Sequence, residues 1–163
     1  MSKSETPTAT ATITTPSDRE VRIERIFAAS RDRVWRAMTD PDLVAQWWGR
    51  GQKMVVERME VKRGGHWRFV VHAASGLQGF EGRYREVTPP ERFVWTFEWD
   101  GMPGYVAVDT VTFEDLGDGR TKVVTTSLVH TTEERDAMLK SGMEPGLNDS
   151  YAALDRLLAT LRE

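Results

Sequence analysis

The stretch LQGFEGRYREVTPPERFVWTFEW, residues 77–99, decides the fold because it reads as two β-strands joined by a tight turn. Large apolar residues alternate with polar or charged ones on both sides of the two prolines, which is typical of strands with one buried face. Folding the chain about the prolines predicts the cross-strand pairs Tyr84–Trp95, Gly82–Phe97 and Phe80–Trp99. The stretch therefore predicts an antiparallel hairpin with one aromatic face.

Further strands are predicted on both sides of this hairpin. Turn clusters such as Gly64-Gly65 and Gly117-Asp118-Gly119 separate runs that have strand composition. These runs occupy residues 20–27, 53–61, 65–74, 105–116 and 121–130. With Asp118 at the tip of the last hairpin, the predicted pairs are Phe113–Val123, Val111–Thr125 and Asp109–Ser127. Together with the central hairpin, the runs predict seven antiparallel strands.

Helices are predicted in three places, one of which is a short helix over TEERDAMLKS (residues 132–141) that Thr131 or Thr132 can cap. Two short helices are predicted between the first two strands. Ser30 is the candidate N-cap of the first, Thr39 or Asp40 is the candidate N-cap of the second, and Pro41 suits the first position of the second helix. A long helix is predicted over Met143–Leu161, where apolar residues recur three or four positions apart. Only this helix is long enough to cover the apolar face of the sheet. A curved sheet around one helix tends to leave a hollow, and we predict that the functional site lies in it.

The composition excludes several classes of function. The chain has 163 residues, no cysteine and a net charge of -3, with acidic and basic residues interleaved. No disulfide, thiolate metal site or nucleic-acid partner is therefore expected. His66, His72 and His130 show no metal-ligand spacing, so no metal and no cofactor are predicted. No apolar run is long enough to span a membrane, which indicates a cytoplasmic protein without a membrane partner.

The first seventeen residues, MSKSETPTATATITTPS, differ in composition from the rest of the chain. They are rich in Thr, Ser, Ala and Pro, and they lack the hydrophobic segment of a secretory signal. We predict a disordered tail at residues 1–17 and a single folded domain at residues 18–163.

Four stretches resemble the activator of heat-shock-protein-90 ATPase-like family. They are AASRDRVWRAMTDPDLVAQWWG (residues 28–49), VKRGGHWRF (61–69), FEGRYREVTPPERFVWTFEW (80–99) and GDGRTKVVTTS (117–127). That family belongs to the START-like (SRPBCC) superfamily of helix-grip folds, which also includes polyketide cyclases and lipid-transfer domains. The resemblance implies an α+β fold in which seven antiparallel strands curl around the C-terminal helix. It also implies that the first strand pairs with the last.

The inward face of the predicted sheet is wide and aromatic. The residues predicted to line the cavity are Trp48, Trp67, Phe69, Phe80, Tyr84, Trp95, Phe97, Trp99, Asp109, Val111, Ser127, Met143, Leu147 and Tyr151. Small residues on the same face, such as Gly82 and Ala107, are predicted to leave space for a ligand. Each ring also has a plainer interpretation as an ordinary core residue.

Four side chains at this face have two interpretations each. Asp109 is either a ligand-anchoring or acid/base group, or it faces water because its strand bulges, since a carboxylate is costly among apolar neighbours. Arg25 is either buried with a partner or reaches the surface along its aliphatic stem. Trp47 and Trp48 cannot both face the core of one helix. One of them is therefore predicted to plug the cavity mouth or to meet a partner.

Three functions are compatible with these residues. We prefer the binding of a small hydrophobic or aromatic ligand in the internal cavity, without catalysis. The second is a protein-interaction domain that is linked to stress or to a chaperone partner, with a second copy of the chain as a further candidate partner. The third is an enzyme similar to polyketide cyclases that uses Asp109, Tyr84 or His66 as acid or base. No nucleophile–base pair or oxyanion signature supports this third function.

Overall fold

The computed structural model describes residues 10–162, which form one antiparallel β-sheet and four helices. The strands are β1 (Thr12–Ser17), β2 (Glu20–Phe27), β3 (Met54–Met59), β4 (His66–Ala73), β5 (Gly76–Thr88), β6 (Arg92–Trp99), β7 (Ala107–Gly117) and β8 (Arg120–Leu128). The helices are α1 (Arg31–Thr39), α2 (Pro41–Val44), α3 (Thr132–Lys140) and α4 (Met143–Thr160). The order of strands in the sheet is β1-β2-β8-β7-β6-β5-β4-β3. The predicted α+β helix-grip fold is confirmed.

β1 is the main difference from the sequence prediction. Thr12–Ser17 pairs with β2, so the disordered tail predicted for this segment is wrong and the sheet has eight strands instead of seven. The segment is rich in threonine, a β-branched residue that favours strands, and β1 satisfies backbone groups at the edge of β2. Ile13 also packs against the core. The part of the predicted tail at residues 1–9 lies outside the described residues.

The predicted strand registers are confirmed at the centre of the sheet. Tyr84 lies opposite Trp95 across β5 and β6, and Asp109 lies opposite Ser127 across β7 and β8. Trp95 and Asp109 are themselves partners across β6 and β7. These four residues therefore form one row across the inner face of the sheet, which we call the Asp109 row. β2 pairs with β8, as the family resemblance implies.

Side-chain caps start the two short helices, as predicted. The Ser30 hydroxyl accepts a hydrogen bond from the backbone N–H of Arg33 at 3.3 Å, and an Asp40 carboxylate oxygen accepts one from Asp42 at 2.9 Å. α4 begins at Met143, the predicted start, and packs one face against the sheet. No helix in residues 10–162 is long and apolar enough to cross a membrane.

Arg25 connects the sheet to α4 from inside the protein. Its side chain is 1% exposed, and its guanidinium donates to the two carboxylate oxygens of Asp155 at 2.9 and 2.6 Å. The guanidinium carbon also lies 4.7 Å from the centroid of the Phe27 ring, within the range of a cation–π contact. Arg25 is therefore buried with a partner, and the alternative in which it reaches the surface is wrong.

Candidate functional site

A continuous aromatic cluster covers the inner face of β4, β5 and β6. Trp67 and Trp95 stack with their ring centroids 4.1 Å apart, and the Phe69 ring lies 4.7 Å from Trp67. All three residues are buried. Because these rings touch one another directly, the interior at this depth is packed, as protein cores generally are. For Trp67, Phe69 and Trp95, the structure favours the core interpretation.

Trp48 lies over this cluster from the loop that follows α2. Its ring centroid is 5.1 Å from both Phe69 and Phe80, and the Ser150 hydroxyl on α4 donates to its backbone carbonyl at 3.1 Å. Trp47 is buried instead, and its indole N–H donates to the carbonyl of Ala37 at 2.8 Å. Trp47 is therefore part of the core, whereas Trp48 is half-buried and packs on the core from outside, in the position of a plug.

One end of the interior is incompletely covered. Phe80 and Phe97 face inward but are only half-buried, and Trp99 is 37% exposed. On the helical side, every residue of α3 is at least partly exposed, and the first turns of α4 are also only partly covered. The half-buried apolar residues that pack against the core at this end are Trp48, Phe80, Phe97, Met143 and Leu147, which we call the aromatic mouth.

Asp109 lies on the inner face of the sheet, one cross-strand pair deeper than the open end. One carboxylate oxygen accepts a hydrogen bond from the Ser127 hydroxyl at 2.6 Å, and the other accepts one from the Trp95 indole N–H at 3.1 Å. The next pair on the same face is Phe97 and Ala107, both half-buried. Asp109 itself is 8% exposed, so the alternative in which it faces water is wrong.

The electrostatic environment of Asp109 is unusual for a carboxyl group. Burial raises the pKa of Asp109, and the hydrogen bonds from Ser127 and Trp95 oppose this shift. Within residues 10–162 the structure shows no ion pair to Asp109. The Tyr151 hydroxyl on α4 interacts electrostatically with both the Asp109 carboxylate and Arg25. Burial is the main reason that the pKa of Tyr151 rises to about 12. Asp109 is therefore a buried carboxyl group with neutral hydrogen-bond donors.

Tyr84 lies at the other side of the Asp109 row. Its hydroxyl is buried and makes no hydrogen bond to any part of the chain that the structure describes. Burial raises the pKa of this hydroxyl above its ordinary value. The strand of Trp95 separates Tyr84 from Asp109, which puts their backbones about 10 Å apart. The two predicted acid/base candidates therefore belong to one row, but they do not contact each other.

The remaining predicted site residues have mixed positions. Val111 and Ser127 are buried, and His66 is on β4 with its imidazole Nδ1 3.1 Å from an Arg58 nitrogen. Gly82 does not leave space for a ligand, contrary to the prediction. A Cβ at this position would collide with the carbonyl of Thr96 and would lie 2.8 Å from the Trp67 indole nitrogen. The glycine is needed because the backbone carbonyl of Thr96 on the neighbouring strand, and next to it the Trp67 indole, occupy the place of a side chain.

A surface pocket of about 290 Å³ lies apart from the predicted cavity. It is between α4 and the loop after α2, and its lining residues are Gln46, Gly51, Ala153, Arg156, Leu157 and Thr160. Sequence reasoning missed this pocket because the position of the loop against α4 is a tertiary feature. Periodicity along α4 predicts which stripe meets the sheet, but it does not place a neighbouring loop.

The fold and much of the sequence match proteins of known structure. A Rhodobacter sphaeroides protein is 28% identical, with a TM-score of 0.84, and the match covers 93% of this chain and 99% of that one. A Chromobacterium violaceum protein is also 28% identical, with a TM-score of 0.71 and coverage of 85% and 96%. No curated protein matches the chain.

A third similar structure is DynU16, a protein of the dynemicin biosynthetic locus. It is 26% identical with a TM-score of 0.68, and the match covers 89% of this chain but 48% of DynU16. The family described as activator of Hsp90 ATPase homolog 1-like protein matches residues 28–159, which is most of the chain and includes the aromatic cluster, Asp109 and most of α4. The protein therefore belongs to the activator of Hsp90 ATPase homolog 1-like family.

Proposed function

We propose that the protein binds a small hydrophobic or aromatic ligand between the β-sheet and α4, at the aromatic mouth. The observation that carries this proposal is the gradient of burial along the inner face. Phe80 and Phe97 are half-buried, whereas Trp67 and Trp95, one step deeper, are buried. Apolar surface that faces the interior and is reachable from solvent is what a pocket for an apolar ligand provides.

The packed rings limit the depth of the proposed site. Trp67, Phe69 and Trp95 form its floor because their rings are already in contact with one another. Trp48 forms its movable side, since it is half-buried and projects from a loop. Ligand entry then requires the Trp48 ring to move away from Phe80. Binding therefore replaces the contact between Trp48 and Phe80 with a contact between the ligand and Phe80. The site is thus at the end of the interior and does not extend through the whole hollow predicted from the sequence.

A second candidate function is interaction with a partner protein, including a chaperone or a second copy of the chain. Leu77 is 67% exposed, Tyr105 is 54% exposed and Met102 is 42% exposed, and they come from β5 and the β6–β7 loop. Apolar side chains of this size at the surface favour a protein contact. The catalytic alternative has less support, because Asp109 and Tyr84 are not in contact. A cytoplasmic location stays a prediction.

A thermal-shift screen against apolar and aromatic metabolites tests the proposed function. A ligand at a hundred times its Kd stabilises the folded state by about 2.7 kcal/mol. For a domain of this size that corresponds to a rise in Tm of roughly 5–10 °C. Phe97→Ala should abolish the shift, and Leu77→Ala, which is exposed and outside the mouth, should retain it. A panel without any shift would overturn the proposal and direct attention to the exposed apolar residues.

A further inference from the structure

We infer that the aromatic mouth selects protonated amines with an aromatic or apolar body, and that Asp109 is their counter-ion. This inference rests on the proposed function and specifies the ligand class of the same site. It follows from three features of the site: a buried carboxyl group without a cation, the engagement of the neighbouring arginine elsewhere, and the rings on the way to the carboxyl group.

The first feature is the set of groups that hydrogen-bond Asp109. Each of its oxygens accepts one hydrogen bond, from Ser127 or from Trp95, and both donors are uncharged. An ionised carboxylate has about four lone-pair sites, so these two donors leave acceptor capacity unused. A buried carboxylate is normally paired with a cation or neutralised by a proton. Asp109 therefore has the chemistry to accept a positively charged group from a ligand.

The second feature is the arrangement of charged and titratable groups around Asp109. Trp95 faces it from β6, Ser127 from β8 and the Tyr151 side chain from α4. Arg25 approaches Tyr151 from β2, with its guanidinium carbon 6.0 Å from the centroid of the Tyr151 ring. Both carboxylate oxygens of Asp155 already hold this guanidinium. The buried arginine of this region thus does not supply the counter-ion of Asp109.

The third feature is the path from solvent to the carboxyl group. The pair between Asp109 and the open end is Phe97 and Ala107, both half-buried. Ala107 has a small side chain, so the Phe97 ring is the larger group of this pair. The Trp48 ring, whose centroid lies 6.3 Å from that of Phe97, adds a second ring at the same end. The faces of aromatic rings attract cations, and a desolvated site strengthens that attraction.

A cation in this site changes the protonation of Asp109. In the free protein, burial favours the neutral carboxyl group. A bound ammonium group favours the carboxylate, so binding below the raised pKa releases one proton. The affinity for an amine therefore rises with pH by up to about tenfold per unit until Asp109 is ionised in the free protein. A neutral ligand of the same shape should lack this dependence.

Matched pairs of amines and alcohols provide the test, measured by isothermal titration calorimetry on the full chain. The probes are tryptamine against indole-3-ethanol and 2-phenylethylamine against 2-phenylethanol. We expect each amine to bind about tenfold or more tightly than its alcohol at pH 7. Titrations repeated at lower pH, below the raised pKa of Asp109, in two buffers with different enthalpies of ionisation should show the release of a proton with the amines only.

Asp109→Asn is the matched variant, because the amide keeps the shape and can still bond to Trp95 and Ser127. It should reduce the ratio of amine to alcohol affinity to about one and leave the alcohols unchanged. If this variant fails to fold, Phe97→Leu should lower amine affinity more than alcohol affinity. Equal binding of amine and alcohol by the native chain, or a preference that survives in Asp109→Asn, overturns the inference and leaves the proposed function intact. Binding of neither pair also overturns the inference, whereas the proposed function fails only if the wider metabolite panel is flat.

Discussion

Arg25 on β2 and Asp155 on α4 form a bidentate ion pair, with hydrogen bonds of 2.9 and 2.6 Å between guanidinium and carboxylate. The arginine side chain is 1% exposed, and the aspartate side chain is 43% exposed. The pair therefore connects the interior of the sheet to the surface of the helix. It also commits the Arg25 guanidinium to Asp155, and no salt bridge to Asp109 is seen within residues 10–162.

Breaking this pair should destabilise the fold. Asp155→Ala leaves the Arg25 guanidinium buried without its carboxylate, and losing one partner of a buried pair typically costs about 3–5 kcal/mol. Because Asp155 is partly exposed and water can replace it, we expect a smaller loss of about 1–3 kcal/mol. Urea unfolding measures the change. Asp149→Ala, at an exposed position of the same helix, is the control and should alter stability by less than about 0.5 kcal/mol.

The raised pKa of Asp109 predicts how stability depends on pH. The folded state holds the Asp109 proton more tightly than the unfolded state does, so the unfolded state loses its proton first as pH rises. Asp109 then lowers stability as the pH increases from about 4 to its folded pKa, at up to about 1.4 kcal/mol per unit. Asp109→Asn should be free of this loss. Urea unfolding of both proteins between pH 4 and pH 7 compares them, and parallel curves would show that the group is already ionised in the fold.

Removal of the Trp48 ring should open the aromatic mouth. Trp48→Ala loses contacts with Phe69 and Phe80, and we expect a loss of about 1.5–3 kcal/mol because the ring is only half-buried. The exposed aromatic floor should then bind the dye ANS and increase its fluorescence. Leu77→Ala removes an exposed apolar side chain outside the mouth and should leave dye binding unchanged. A folded Trp48→Ala protein that binds no more dye than the native chain would refute the plug role.

Truncation tests whether β1 stabilises the fold. The backbone N–H of Ala11 donates to the Asn148 side chain on α4 at 2.9 Å, and Arg135 on α3 donates to the carbonyl of Ser17 at 2.8 Å. Loss of these bonds and of Ile13 packing should cost about 2 kcal/mol when residues 1–17 are removed. Thermal unfolding measures the difference. A truncation of residues 1–9 leaves β1 and Ala11 in place and is the control.

Much of the sheet could be predicted from sequence because side-chain alternation has a period of two. Once the turn at Asp118 is located, the pairing of Asp109 with Ser127 follows, and the turn at Pro89 places Tyr84 opposite Trp95 in the same way. β1 was missed because its threonine-rich sequence has strand propensity but little apolar alternation. Its strand depends on the edge of β2, which the segment itself does not encode.

By itself, the sequence determined which side chains face the interior, since turn positions and alternation set the phase of each strand. Only the tertiary structure decided whether those side chains leave a hollow or pack together. The space beside Gly82 is filled by the Thr96 carbonyl and the Trp67 indole, and this depends on how closely the strands approach one another. The partner of the buried Arg25 was decided in the same way, because Asp155 lies 130 positions away in the chain. Local sequence patterns specify toward which face of a strand or helix each side chain points. Contacts between residues that are far apart in the chain depend on how the helix packs against the sheet.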